Sequence, residues 1–313
     1  MKSAVVVALA LSAASAHAED SYPARQIDIV VPFAPGGTSD LSIRYLADKW
    51  KSCLGQPVVI VNKPGAGSAV GAKYVARAKP DGYTLLVASE TSLVTVPILQ
   101  ADVGYSYRDF TYLFTYSKGS VVFAARSDAP WKTIAVFLDA ARKSPQPMSY
   151  ASYGTGTIGQ IAMELLLRAT KTKVNHVPFK SSPEAGAALL GKHVELAVPS
   201  LIGPLAKNPD VRLLATSSSE RVAFAPDLPT LKDLGYNVSL NYFNVLVGPK
   251  GLPDHVVTKI LDCHKQAYAK DKKDIDEALG RFELVPFTLD GASTMKEMGE
   301  RSVLFKEMLS PKS

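Results

Sequence analysis

The sequence predicts an α/β protein of two lobes, each built on a doubly wound, mainly parallel sheet. Three observations carry this. Short apolar runs alternate with amphipathic stretches along most of the chain, the pattern left when parallel strands are joined by crossover helices. The design that opens the fold at Val31–Asp40, a strand feeding a Gly-rich corner and then a helix, returns at Met148–Thr157. Finally, 313 residues with 47% hydrophobic content hold more than one core at roughly 100 to 200 residues per domain.

Ahead of the fold, Lys2, the apolar Val5–Ala14 and Ala16-His17-Ala18 read as a signal peptide over residues 1–18, cleaved after Ala18. The apolar run is too short for a bilayer span, and no later segment offers ~20 uninterrupted apolar residues, so an exported, soluble protein is expected. The net charge of +6, from 35 basic and 29 acidic residues, is dispersed. Its densest basic cluster, Lys270–Lys273, contains Asp271 and is followed by Asp274 and Asp276; that is a solvated helix face, and it predicts no nucleic-acid partner.

The first strand is Ile27–Val31, and Ile43, Leu46, Trp50 and Leu54 mark the helix that follows. Between them lies the corner Phe33-Ala34-Pro35-Gly36-Gly37-Thr38-Ser39-Asp40. The glycines let the backbone turn and come close to a guest, and Thr38 or Ser39 is expected to cap the helix. Free amides and the positive end of the helix dipole together make such a corner an anion site, or equally a capped helix with no guest. A second strand, Val58–Val61, enters the corner Asn62–Gly67 and a helix through Val75 and Ala78; a third, Thr84–Ala88, ends in the polar loop Ser89-Glu90-Thr91-Ser92. Loops after parallel strands leave a sheet on one edge, so Phe33–Asp40, Lys63–Ser68 and Ser89–Thr95 should converge.

The second series starts near Ser120, with the strand Val121–Ala125 and a helix over Thr133–Lys143. Met148–Ser152 then enters the corner Tyr153-Gly154-Thr155-Gly156-Thr157 and the helix Ile158–Ala169. A strand ending at Val177-Pro178 leads to Phe179-Lys180-Ser181-Ser182 and a helix from Pro183 that Ser182 should cap. Val194–Val198, with Pro199-Ser200 as its exit, and Val211–Ala215 complete the set, and Leu240–Val247 leads back to the first lobe. Amphipathic helices over Pro253–Lys270 and Ser293–Leu309 should cover one sheet. Cys53 and Cys263 each sit on an inward position of a helical pattern, which favours two buried thiols over one disulfide.

No catalytic or metal motif assembles. His176, His193, His255 and His264 fall in no H-E-x-x-H pattern, and there is no C-x-x-C pair, G-x-S-x-G elbow or phosphate loop. No cofactor is expected. What the sequence offers is backbone donors and hydroxyls aimed from two lobes at one cleft, which suits a receptor, since each charge-assisted hydrogen bond to a carboxylate contributes roughly 1.5 to 3 kcal/mol.

VPFAPGGTSD followed by Arg44, VVIVNKPGAGSAVGAKYVARAKPDGYTLL, the YASYGTGT corner, VPFK and Ala225–Leu231 together resemble the Bug family, the periplasmic receptors of tripartite tricarboxylate transporters. The likeness spans nearly the whole mature chain. It implies a two-lobed periplasmic binding fold, with residues 19–120 plus 244–313 as lobe 1 and 121–243 as lobe 2. It also implies a monomer that closes on a small organic carboxylate by bending near Ser120 and Asn241, then delivers it to a membrane permease. By the same resemblance Phe33–Asp40 grips the carboxylate, Tyr153–Thr157 closes from the other lobe, and Ser89–Ser92 adds contacts. Lys180 and Ser181 stand where the family has Lys-Gly. Three positions depart from its pattern: Gln160 stands for His, Pro199 falls near a common Asp, and Phe243 stands for Trp. They imply a carboxylate without a cationic group, with an apolar or aromatic body. The alternatives are a ligand-sensing module for a membrane signalling protein and an enzyme using Asp40 or Glu90 as base.

Overall fold

The computed structural model describes residues 22–100, 102–200 and 203–309; the signal peptide expected over residues 1–18 lies outside them. In chain order the elements are β1 (Ile27–Val31), α1 (Thr38–Leu54), β2 (Val58–Asn62), α2 (Ala69–Ala76), β3 (Thr84–Ala88), α3 (Val96–Leu99), β4 (Phe110–Gly119), β5 (Val122–Arg126), α4 (Ile134–Lys143), β6 (Ser149–Ser152), α5 (Ile158–Thr170), β7 (Asn175–Pro178), α6 (Ser182–Leu190), β8 (Leu196–Val198), α7 (Gly203–Ala206), β9 (Val211–Thr216), β10 (Tyr242–Pro249), α8 (Asp254–Arg281), β11 (Val285–Asp290) and α9 (Gly291–Leu309).

They form two sheets. The first has the order β11-β4-β10-β3-β1-β2 and the second β7-β6-β8-β5-β9. β1 is parallel to β2 and β3, and β6 is parallel to β7 and β8. In the first sheet β10 runs against β3 and β4, and β11 runs against β4; in the second β5 runs against β8 and β9. The sheets are therefore mixed around a parallel three-stranded half. Those halves bring the loops after β1 and β3 to one edge of the first sheet, and those after β6, β7 and β8 to one edge of the second. Because β10 runs the other way, its first residue, Tyr242, starts at the same edge.

The chain passes between sheets twice, after β4 and before β10, and the passages lie side by side because Gly119 pairs with Tyr242. Ser217 holds both on the side of the second sheet. Its amide donates to the Val121 carbonyl (2.9 Å), its hydroxyl accepts from the Val121 amide (3.1 Å), and its carbonyl accepts from Leu240 N (2.7 Å). These two adjacent single-strand passages form the hinge region between the sheets.

Four elements differ from the sequence reading. β4 is a full strand through FTYLFTYSKG and was not anticipated; its aromatic and Thr residues favour a sheet, and it is almost wholly buried. Thr91–Thr95 forms a wide helical turn that runs into α3 where a polar loop was expected. β11 pairs with β4 at the sheet edge, between helices read as consecutive. α8 continues past Lys270 to Arg281 with a break at Asp271.

The cysteines also correct the reading. Cys53 on α1 and Cys263 on α8 are joined as a disulfide, with Cα atoms 5.4 Å apart. Each does face inward, but α1 and α8 pack on each other, so the two inward positions meet. Beside them His264 stacks on Phe114 at 4.0 Å and meets Trp50 edge-on at 5.7 Å, and burial lowers its pKa to about 4, leaving a neutral core imidazole. A bridge spanning 210 residues acts chiefly by restricting the unfolded chain. Replacing both cysteines with Ala should lower stability by about 2 to 4 kcal/mol in chemical denaturation, and wild type under reductant should follow the same curve.

Candidate functional site

The sheet edges face each other over a cavity of about 30 Å³. From the first sheet it is lined by Phe33, Ala34, Gly37, Thr38, Ser39 and Asp40 after β1 and by Ser89 and Thr91 after β3. From the second come Tyr153 after β6, Ser181 and Ser182 after β7 and Ser200 after β8, with Tyr242 from the hinge strand. The lobes are in contact here. Ala34 N lies 3.5 Å from the Lys180 carbonyl, Phe33 meets Tyr153 edge-to-face at 6.2 Å, and the Tyr242 hydroxyl is 3.2 Å from Thr38 Oγ1 and 3.5 Å from the Ser200 carbonyl.

The two corners share one internal device. Gly36, at φ +90°, gives its amide to Asp40 Oδ2 (3.0 Å), and Gly156, at φ +77°, gives its amide to Gln160 Oε1 (2.7 Å). In each, a side chain four residues on fixes a left-handed glycine, and the N-cap residue, Gly37 or Thr157, supplies no side-chain cap. Thr38 and Ser39 are not caps as expected. Thr38 is buried against Tyr242, and Ser39 Oγ donates to Asn244 Oδ1 at 2.7 Å. The first amides of α1 therefore stay free of side-chain caps beside the cavity.

A family profile described as tripartite tricarboxylate transporter family receptor matches residues 42–310. The chain belongs to this receptor family. A UPF0065 protein of Cupriavidus necator is 32% identical over 289 residues, covering 92% of this chain and 88% of its own. Among solved structures, the periplasmic binding protein BugD superposes with a TM-score of 0.85 at 28% identity, covering 92% of this chain and 97% of its own. MatC from Rhodopseudomonas palustris with bound malate gives 0.85 at 25% identity, covering 92% and 100%. The family is one of periplasmic solute-binding proteins of two-lobed α/β fold.

In this receptor several residues singled out in the sequence lie away from the cavity. Pro35 is exposed, while Gly36 faces the Pro183 ring of the opposite lobe. Ser92 is buried behind the turn, where its carbonyl accepts from the Tyr105 hydroxyl (2.7 Å). Thr157 Oγ1 donates to the Gly154 carbonyl at 2.7 Å, and Gln160 is committed to Gly156. The amides that open α5 are covered by Tyr153: a Cβ at Gly159 would sit 2.9 Å from its ring. Burial pushes the Tyr153 hydroxyl well above its ordinary range, against the opposing pull of the Gly159 and Ile158 amides. Lobe 2 therefore meets the cavity with side chains rather than with a bare helix start. Gly154, Thr155, Phe179 and Lys180 border a neighbouring chamber. Pro199 is buried and accepts from Val122 N at 3.1 Å.

Phe243 points to the other side of the sheet, stacked on Phe287 at 5.1 Å with Arg301 over its ring. Strand alternation gives the cleft its neighbour, Tyr242. Tyr242, Ser181, Ser182 and Ser200 were not singled out as site residues. Ser182 was read as a cap, but Ser181 is the N-cap, accepting from Glu184 N (3.3 Å), while Ser182 Oγ bonds Ser200 Oγ at 3.0 Å. Each of the four lies at the exit or start of a strand on the shared edge, and that position was the available signal.

Neither carboxylate is free for proton transfer. Burial alone would raise the Asp40 pKa, but Arg44 (2.9 Å), the Gly36 amide and Asn62 together hold it below the ordinary carboxylate range. Glu90, wholly buried, accepts from Phe243 N at 3.0 and 2.9 Å and pairs with Arg301 at 3.1 Å; burial raises its pKa against those partners. Because the folded Asp40 pKa is lowered, its contribution is full above the unfolded value and is lost as pH falls through the folded one. Asp40→Asn should therefore flatten the loss of stability below about pH 4, read from denaturation midpoints across the acid range. Glu90→Ala strands a buried amide and removes a partner of Arg301. It should cost about 3 to 5 kcal/mol, and Glu90→Gln, which keeps an acceptor, should cost less in the same assay.

Proposed function

We propose that this receptor is exported to the periplasm with its signal peptide removed after Ala18, and that it captures an organic carboxylate between its lobes as a monomer. It then delivers that guest to the membrane permease of a tripartite tricarboxylate transporter. The observation that carries the reading is the rim of the cavity. Uncapped amides of α1 beside Gly37 and hydroxyls of Thr38, Ser181, Ser182 and Ser200 converge from both lobes. The lining contains one acidic group, Asp40, already neutralised by Arg44. An anion finds donors there, whereas an ammonium group finds no unpaired carboxylate. The malate held by MatC supports the same ligand chemistry. A binding role without turnover is favoured because Asp40 and Glu90 both have their partners within the protein.

Capture requires motion. A cavity of about 30 Å³ holds roughly two waters, so the lobes must part at the passages near Ser120 and Asn241 to admit a guest and then close on it. Calorimetric titration should give binding by small carboxylates such as malate and none by amino acids of the same length; the reverse preference would overturn the reading. Gly37 has ordinary dihedrals (φ −82°), and a Cβ there meets no atom within 4 Å, so Gly37→Val should fold while filling the space the guest needs. A loss of about 100-fold in affinity is expected from that overpacking. Unchanged affinity would remove this corner from the site.

A further inference from the structure

On the outer face of the first sheet's lobe, α2 and the start of β3 enclose an open groove of about 750 Å³. None of its lining residues lines the cavity between the lobes. α2 buries Ala69, Ala72 and Val75 against the sheet, so its opposite face should be polar. It is not: Val70 and Tyr74, one turn apart, are each 49% exposed and line the groove with Ala78, just past the helix end. An apolar stripe on an outward face marks a surface that meets another molecule. Cations surround it. Lys73, Arg77 and Lys79 line the groove, and the Lys63 ammonium lies over the Tyr74 ring at 4.3 Å. Asp81 is the one acidic residue in the lining, and Arg25 already pairs with it at 3.4 Å. Lys73, Arg77 and Lys79 make no ion pair among the described residues. Two of them converge, since a Cβ at Gly104 would lie 3.5 Å from both Lys73 Nζ and Arg77 Nη2. The C-terminal end of α2 favours a cation, but two like charges brought to one point repel unless an anion joins them.

We propose that this groove is a docking surface for an acidic segment of a protein partner. Carboxylates of that segment meet Lys73, Arg77 and Lys79, and an apolar side chain between them lies on Val70 and Tyr74. The charge selects the sign of the partner, and the shape selects its class. A groove between a helix and a strand end takes an extended chain, with the apolar stripe as anchor and the cations as flank; a lipid surface is met by a face that projects. Every lining residue falls between Arg25 and Thr84, on one side of the hinge, so the surface stays assembled whether the lobes are parted or closed. The inference stands whichever solute the cleft holds.

The test is fluorescence anisotropy of the labelled peptide Glu-Glu-Phe-Glu-Glu-Leu-Glu-Glu with the purified receptor at low salt. Two control peptides carry Lys in place of Glu, or Ser in place of Phe and Leu. The acidic peptide should bind wild type more tightly than either control, and its binding should weaken as salt is raised. Lys73→Glu combined with Arg77→Glu should weaken it about tenfold, and Tyr74→Ser should move it the same way. Lys79→Glu, at an exposed residue, repeats the charge test where folding is least disturbed, and its melting temperature should match wild type. No binding by wild type, equal binding of the Lys peptide, or unchanged binding by the charge-reversed variants overturns the proposal. So does co-sedimentation with phosphatidylglycerol vesicles in the absence of peptide binding, which would assign the face to a membrane.

Discussion

The structure depends on a buried carboxylate at the root of the hinge. The register that pairs Val245 with Ala88 would set Glu90 opposite Phe243, but β3 has ended by then and the chain has turned into a helical coil. The Phe243 amide would be left without a ladder partner deep in the protein, an unfavourable state for a buried N–H. The Glu90 side chain supplies the missing acceptor with both oxygens. Its charge is balanced by Arg301 from α9, which also donates to the Asn241 carbonyl at 2.9 Å and pairs with Glu297. One residue therefore joins the loop that gives Ser89 and Thr91 to the cavity, the strand that enters from the second sheet, and α9.

On the other side of the hinge Ser217 performs the matching task by binding both passages to the second sheet. The two anchors leave only short stretches of chain between the sheets. The cleft is then a contact between two stiff edges. Its closed form is fixed by a few atoms: Tyr242 between Thr38 and Ser200, Ala34 against Lys180, and Gly67 against Thr155.

The two corners show how a similar local design serves different ends. In each a glycine amide is held by the side chain four residues later, but that residue is Asp40 in one lobe and Gln160 in the other. The acid requires Arg44 and Asn62 to neutralise and orient it, whereas the amide side chain requires no counter-charge. Tyr153 then covers the start of α5, so the lobes face the cavity unequally: the first with main-chain amides and the second with hydroxyls and an aromatic face.

Much of this was legible in the sequence. The apolar run Ile27–Val31, the glycine corners and the helical stripes fixed the alternation of strand and helix, because burial imposes a period on each. The family likeness rested on PFAPGG and PGAG…PDGYTLL, runs dictated by tight turns that few other residues can make. Local pattern does not specify which face of a strand meets the cleft, and so Tyr242 rather than Phe243 lines it: a shift of one residue reverses the side. It does not reveal that the inward positions of two helices distant in the chain coincide, which is why Cys53 and Cys263 form a disulfide. Nor does it show that Glu90 is spent on the hinge. Such facts arise when segments far apart in sequence compete for the same space and the same hydrogen bonds, and only the packed chain resolves that competition.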